Sequence, residues 1–230
     1  MDGIIPVNKP SGITSYDVIR FIKRSFRLKD KIGHAGTLDP LASGILIICI
    51  GKATKMATTF MNMEKEYEAR LLLGVITDTD DIKGNVIEKR EVKVEEKDVI
   101  RVIKEFEGKV EQIPPVVSAI KKEGVPLYKL HRKGISVSPP PRKVIIKRID
   151  IMDISLPYVD FRVICSKGTY IRALCRDIGN KLGCGGTQAA LERTRVGDFK
   201  IEDVPTLEEI EKNGLERYLI PIKKTGRLYE

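Results

Sequence analysis

The sequence predicts an α+β protein built on a mixed, largely antiparallel sheet flanked by helices. Short apolar runs of strand length, such as Ile45–Ile50 between Gly44 and Gly51, are interspersed with stretches of helical spacing, such as Val99, Val102, Ile103 and Phe106. Tight turns join some of these segments and helices join others, without the regular β-α-β alternation of a parallel sheet. The 230 residues, 42% of them apolar, suffice for a sizeable core, and no internal repeat interrupts them.

The elements follow in order. A first strand over Gly3–Val7 ends in the turn Lys9-Pro10-Ser11-Gly12. Thr14 or Ser15 is placed to cap a helix whose Val18, Ile19, Ile22 and Phe26 share one face. A polar, glycine-studded loop is expected from Lys31 to Gly44, then the buried strand Ile45–Ile50 and a short helix over Ala53–Phe60. Tyr67–Leu73 reads as a strand, and the acidic turn Asp78–Gly84 joins it to another at Asn85–Arg90. A helix is expected over Glu95–Glu107. Gln112-Ile113-Pro114-Pro115 must be extended, because proline has no N–H to continue a ladder or a helix. Tyr128–Lys133 makes a helical turn or two stopped at Gly134, and Ser138–Pro141 is a stiff spacer. Strands at Val144–Ile154 and Tyr158–Ser166 turn at Pro157; Thr169 is placed to cap a helix running to Leu182. Thr206 with Glu209 predicts a capping box for a last short helix.

Composition narrows the function. There is no run of eighteen apolar residues, and Met1–Pro6 lacks a basic stretch leading into an apolar one, so a cytoplasmic protein is expected. Four scattered cysteines and two histidines give no zinc spacing, and free, mostly buried thiols are expected. The net charge is +9, and Lys121–Arg148 carries nine basic residues against the single acid Glu123. Asp78–Glu111 has eleven acids against eight bases. Such asymmetry suits a face that meets a polyanion, although a solvated basic face has the same composition. Asp78-Thr79-Asp80-Asp81 resembles part of a calcium loop, but Ile82 occupies a ligand position and no glutamate closes it. Neither a phosphate-cradling glycine loop nor a G-x-S-x-G elbow is present.

The densest signal is Gly33-His34-Ala35-Gly36-Thr37-Leu38-Asp39-Pro40-Leu41-Ala42-Ser43-Gly44: three glycines and one carboxylate just before a buried strand. Such a loop leaves a side chain accessible on a rigid support, although Asp-Pro also simply starts turns. This run resembles the catalytic motif of the TruB-type pseudouridine synthases, G-H-x-G-T-L-D-P. Four further stretches match that family in order: Lys9–Ser15, Lys65-Glu66-Tyr67, Gln112–Ala119 with Leu127-Tyr128, and Ser166–Arg172. The resemblance covers roughly Gly3–Ile222.

The resemblance implies the pseudouridine synthase fold and isomerisation of a uridine, typically uridine 55 in the tRNA T loop, after the base is flipped from its stack. No cofactor or metal is implied, since nothing is oxidised and no group leaves. Asp39 corresponds to the catalytic aspartate and Arg172 to the cation that keeps it charged. Tyr67 corresponds to the tyrosine that stacks on the flipped uracil, and His34 to the histidine that intrudes on the T loop. Gly36, Thr37 and Leu38 are expected to border the substrate, Lys9 to buttress the loop from behind, and Leu191 to form a pocket wall. Tyr128, Arg132, Arg142 and Lys143, in or beside the basic run, are expected to touch RNA phosphates. The organisation implied is a catalytic domain over 1–222 with a basic RNA-binding insertion at about 112–148. The tail 223–230 is too short for the PUA-type domain that many relatives carry. A monomer is expected. One departure stands out: the family's L-R-R-T reads Leu191-Glu192-Arg193-Thr194 here, an acid replacing a base. A non-catalytic RNA-binding protein of the same fold, or the same chemistry on another RNA, remain the alternatives.

Overall fold

The structure is a computed structural model, and it describes residues 1–222 apart from 119, 123, 132, 136 and 138. The first elements are β1 (Gly3–Lys9), α1 (Ser15–Ser25), β2 (Ile32–Ala35), β3 (Ser43–Ile50), α2 (Ala57–Asn62) and β4 (Lys65–Leu73). There follow β5 (Val75–Thr77), β6 (Val86–Lys89), α3 (Glu96–Lys104), β7 (Gly108–Gln112), β8 (Lys121–Lys122), β9 (Val125–Pro126) and α4 (Leu127–His131). The last are β10 (Arg142–Ser155), β11 (Tyr158–Cys165), α5 (Ile171–Lys181), β12 (Gly186–Val196), β13 (Phe199–Lys200), α6 (Leu207–Asn213) and β14 (Ile220–Pro221). The chain divides into two compact units, Met1–Glu66 with Glu192–Glu230, and Tyr67–Leu191.

In the first unit β1 lies between β14 and β3, antiparallel to both, with Ile4 opposite Ile220 and Cys49. β3 is buried from Gly44 to Ile50, which explains its unbroken apolar run: a strand covered on both faces has no polar side. Ile45, Ile47 and Cys49 join Ile4, Ala35, Ala53, Phe60 and Val196 in one core cluster. The second edge of β3 is shared. β2 pairs with its far end, Ile32 opposite Ile50 through Ala35 opposite Ile47. The near end pairs in parallel with β12, Glu192 opposite Ser43 and Arg193 opposite Gly44. Residues 36–42 therefore leave the ladder where β12 takes it over.

In the second unit the strand order is β4-β11-β10-β7. β10 and β11 form an antiparallel hairpin, and β7 pairs antiparallel with β10, Val110 opposite Val144. Val159, Phe161, Val163 and Cys165 are buried at every second position of β11, the mark of a strand with one face in the core. α3 buries Val99, Val102 and Ile103, while α5 buries Ile171 to Cys175, Ile178 and Gly179. A Cβ at Gly179 would fall 2.2 Å from the carbonyl carbon of Gly185, so only glycine lets the helix approach the chain there.

Four expectations need correction. The stretch expected as loop from Lys31 begins with the strand β2, because Ile32–Ala35 completes the edge of β3. β12 was not expected; Gly186–Val196 lacks the alternation that marks a half-buried strand. Nor was β7, whose residues are mostly exposed. Thr169 does not cap α5: Tyr170 holds the cap position, and the Thr169 hydroxyl donates to the Ser166 carbonyl. By contrast the capping box expected at Thr206 with Glu209 forms, and of the two cap candidates for α1 it is Thr14 that caps, in a box with Asp17. The four cysteines are free and buried.

Candidate active site

Asp39 is half-buried in the loop between β2 and β3. The turn Lys9–Ser15 grips that loop through main-chain groups. The Ser15 hydroxyl accepts from the Leu38 N–H at 2.9 Å and donates to the Leu38 carbonyl at 3.0 Å. The Gly12 N–H donates to Pro40 O at 2.7 Å, and the Ser11 hydroxyl to Leu41 O at 2.6 Å. Asp39 also closes a turn of its own, its carbonyl accepting from the Ala42 N–H at 3.1 Å. The residues on both sides of Asp39 are thus fixed by hydrogen bonds to groups that carry no charge. Leu38 is buried and Thr37 exposed. Gly36 has φ +90, a left-handed conformation at which a side chain would be strained.

Of the buried cations in the same unit, Lys9 and Arg193 bear on this loop. Lys9, wholly buried at the end of β1, donates from Nζ to Pro10 O and Ile13 O, both at 2.8 Å. Burial pushes its pKa down to about 8, with Asp39 pulling it back up and Arg193 pushing it further down. Arg193, 2% exposed, donates from Nε to Ile45 O at 2.7 Å and from Nη2 to Gly36 O at 3.1 Å. His34, on β2, is held below its ordinary pKa by burial and then by Arg193, which favours the neutral imidazole. Its Nδ1 is buried without a hydrogen-bond partner among the described residues. Lys9, His34, Gly36, Thr37, Leu38 and Asp39 all lie in this unit.

The second unit carries Tyr67 and Arg172. Tyr67 is 9% exposed, on the buried face of β4 with Ala69, Leu71 and Leu73. Arg172, 4% exposed in the first turn of α5, is no surface arginine. It donates to Thr79 O at 3.0 Å and Val117 O at 2.9 Å, and Nη1 lies 3.6 Å from the Asp81 carboxylate. The acidic turn thus has a purpose its composition did not disclose. Asp81 accepts from the Lys83 N–H and the Thr79 hydroxyl and faces the guanidinium. Next to it, Asp80 pairs with Arg176 at 2.8 Å and is raised in pKa, mainly by burial. Asp80 and Arg176 line a cleft of about 640 Å³ with Asp78, Glu111 and Asp177, whose carboxylates make it a poor seat for phosphate.

Tyr128 is half-buried on α4, Arg142 and Lys143 are exposed at the start of β10, and Leu191 is half-buried on β12. Arg132 and the tail 223–230 lie outside the described residues. No group of three or more metal-ligating side chains is assembled among the described residues. Two residues escaped sequence reasoning. Asp81 was read as part of a turn, and Arg193 was passed over although it keeps the second arginine of the L-R-R-T run.

The fold has close counterparts among solved structures. A chain in the crystal structure of a Cbf5-Nop10-Gar1 complex superimposes with a TM-score of 0.71 at 35% identity, over 91% of this chain and 54% of that one. A chain in the structure of an H/ACA RNP bound to a substrate RNA containing 2'-deoxyuridine gives 0.69 at 32% identity, over 91% and 52%. This chain spans about half the length of those chains. With the carboxylate-bearing loop, the fold defines an isomerase of the pseudouridine synthase class. Residues 23–171 match the family model of the TruB family pseudouridylate synthase N-terminal domain, and 172–222 that of the tRNA pseudouridylate synthase B C-terminal domain. The chain is 50% identical to tRNA pseudouridine synthase B of Clostridium tetani over 231 residues, covering all of this chain and 80% of that protein. With the same enzyme of Clostridium kluyveri the identity is 51% over 225 residues, covering 97% and 77%. The chain belongs to the TruB family of pseudouridylate synthases.

Proposed function

We propose that this protein converts uridine 55 in the T loop of tRNA to pseudouridine, acting as a monomer in the cytoplasm. The flipped nucleotide loses its N1–C1′ bond, the uracil turns, and C5 bonds to C1′; the proton leaving C5 balances the one gained at N1. Asp39 supplies the ionised carboxylate for this exchange. Arg172 is the cation of the reaction, and Tyr67 stacks on the uracil. His34 takes the space the base vacates, Gly36, Thr37 and Leu38 border the nucleotide, and Leu191 walls the pocket. Tyr128, Arg132, Arg142 and Lys143 meet phosphates and set affinity rather than rate.

The observation that carries this reading is the grip on the Asp39 loop. A half-buried carboxylate whose flanking residues are held by main-chain hydrogen bonds suits a reacting group. The test is pseudouridine formation on unmodified tRNA. Asp39→Asn is expected to abolish product while leaving tRNA binding intact, and normal turnover by that variant would remove Asp39 from the mechanism. Mapping the modified position in total RNA, with and without the protein, separates tRNA from another RNA as substrate. Product from neither would favour a binding protein of the same fold.

A further inference from the structure

Among the described residues, Arg193 is by volume the foremost of the fully buried side chains. Withdrawing a guanidinium from water costs several kcal/mol unless its donors are satisfied, and an apolar side chain of like volume fills a core at least as well. Filling space therefore does not account for this residue. Its contacts do. Nε donates to Ile45 O, just inside β3, and Nη2 donates to Gly36 O, where the chain leaves β2. Those two carbonyls flank residues 37–44. The planar fork of arginine can bond in two fixed directions at once, which the single ammonium of lysine does less rigidly.

The backbone of Arg193 is itself fixed. It stands opposite Gly44 in the parallel pairing of β12 with β3. A Cβ at Gly44 would fall 2.3 Å from the Arg193 carbonyl oxygen, and Gly44 has φ +101, so only glycine permits this approach. The charge is felt at the loop as well, since both Lys9 and His34 respond to it.

We propose that Arg193 is a positioning residue: it ties the two ends of the Asp39 loop together from behind, so that the carboxylate between them stands in one place. The inference rests on Asp39 being the reacting carboxylate, and adds a second support to the one that Lys9–Ser15 gives from the other side of the sequence. Its effect lies in the rate of the chemical step rather than in RNA affinity, because the side chain is sealed from solvent.

The test compares Arg193→Lys, Arg193→Gln and Asp39→Asn for thermal unfolding, tRNA binding and single-turnover pseudouridine formation at a temperature where each is folded. The glutamine variant is expected to react roughly 10²-fold more slowly, the loss typical of a displacement near 1 Å. Arg193→Lys should recover part of that rate, and both should bind tRNA as the parent does. Rates within twofold of the parent in both variants would overturn the proposal. So would a rate loss that merely tracks lost folded protein or lost binding, or a failure of even Arg193→Lys to fold, which would assign the residue to the core. If Asp39→Asn were active, the reading of Asp39 would fail whatever the Arg193 variants did.

Discussion

Removing one oxygen atom from Ser15 should loosen the Asp39 loop without removing any charged group. The Ser15 hydroxyl serves both main-chain groups of Leu38, accepting at 2.9 Å and donating at 3.0 Å. Ser15 is 2% exposed and Leu38 3%, so water has little access to replace it. In Ser15→Ala a buried N–H and a buried C=O each lose their partner, at about 1–3 kcal/mol apiece. The low end applies if the loop relaxes toward solvent, and that relaxation itself moves the residue after Leu38, which is Asp39. A loss of about 3 kcal/mol would lower the unfolding temperature by roughly 6–12 °C in a chain of this size. Turnover should fall roughly 10²-fold if the carboxylate shifts by an ångström. Alanine is the better helix former, so a weakened α1 cannot be the cause of any loss. Thermal unfolding monitored by circular dichroism, beside single-turnover assays on tRNA, measures both quantities. Ser15→Thr, which keeps a hydroxyl, serves as the control. An alanine variant that melts within 2 °C of the parent (about 1 kcal/mol or less), or that turns over at the parent's rate, would refute the reasoning.

Lys9 gives a pH signature. Its pKa is about 8 in the folded protein against 10.5 for the ordinary side chain, so between these values the unfolded chain binds the extra proton and stability rises with pH. Below pH 8 both states are protonated and the penalty of burying the charge is present in full. Urea unfolding at pH 7.5, 8.5 and 9.5 should show that rise in the parent and lack it in Lys9→Met; equal slopes would contradict it. The exposed pair Arg142 and Lys143 should report on phosphate contact. Replacing both by glutamine is expected to reduce the slope of log affinity against log salt by about 1.4–1.8, with single-turnover rate at saturating tRNA unchanged. An unaltered slope would remove them from the RNA-binding face.

Much of the fold was legible because it depends on local chemistry. The helix cap at Thr14, the capping box at Thr206, the buried run before Gly51 and the strand at Tyr158–Cys165 each carry their own signal over a few residues. What could not be read depends on partners distant in sequence. β2 is a strand because β3 offers it an edge, and β12 is one although its residues do not alternate. Thr169 has the right chemistry for a cap, yet Gln112 accepts from the Tyr170 N–H at the start of α5, and the threonine turns to Ser166 instead.

The site divides along the same line. Asp39 stood out because glycines and proline announce an irregular loop, and the other assignments came from resemblance alone. Arg193 and Asp81 could not stand out, because a buried charge looks like a surface charge until its surroundings are known. Arg193 is needed only because β12 lies parallel to β3 at Ser43–Gly44, the place where residues 36–42 leave the ladder. A loop released from a sheet edge has main-chain groups to satisfy and ends to be held. The turn at Lys9–Ser15 answers for Leu38, Pro40 and Leu41, while Arg193 answers for Gly36 and Ile45. Asp39 is thereby placed by residues that touch its neighbours in the chain. Substitutions at these supports should therefore act on rate before they act on affinity.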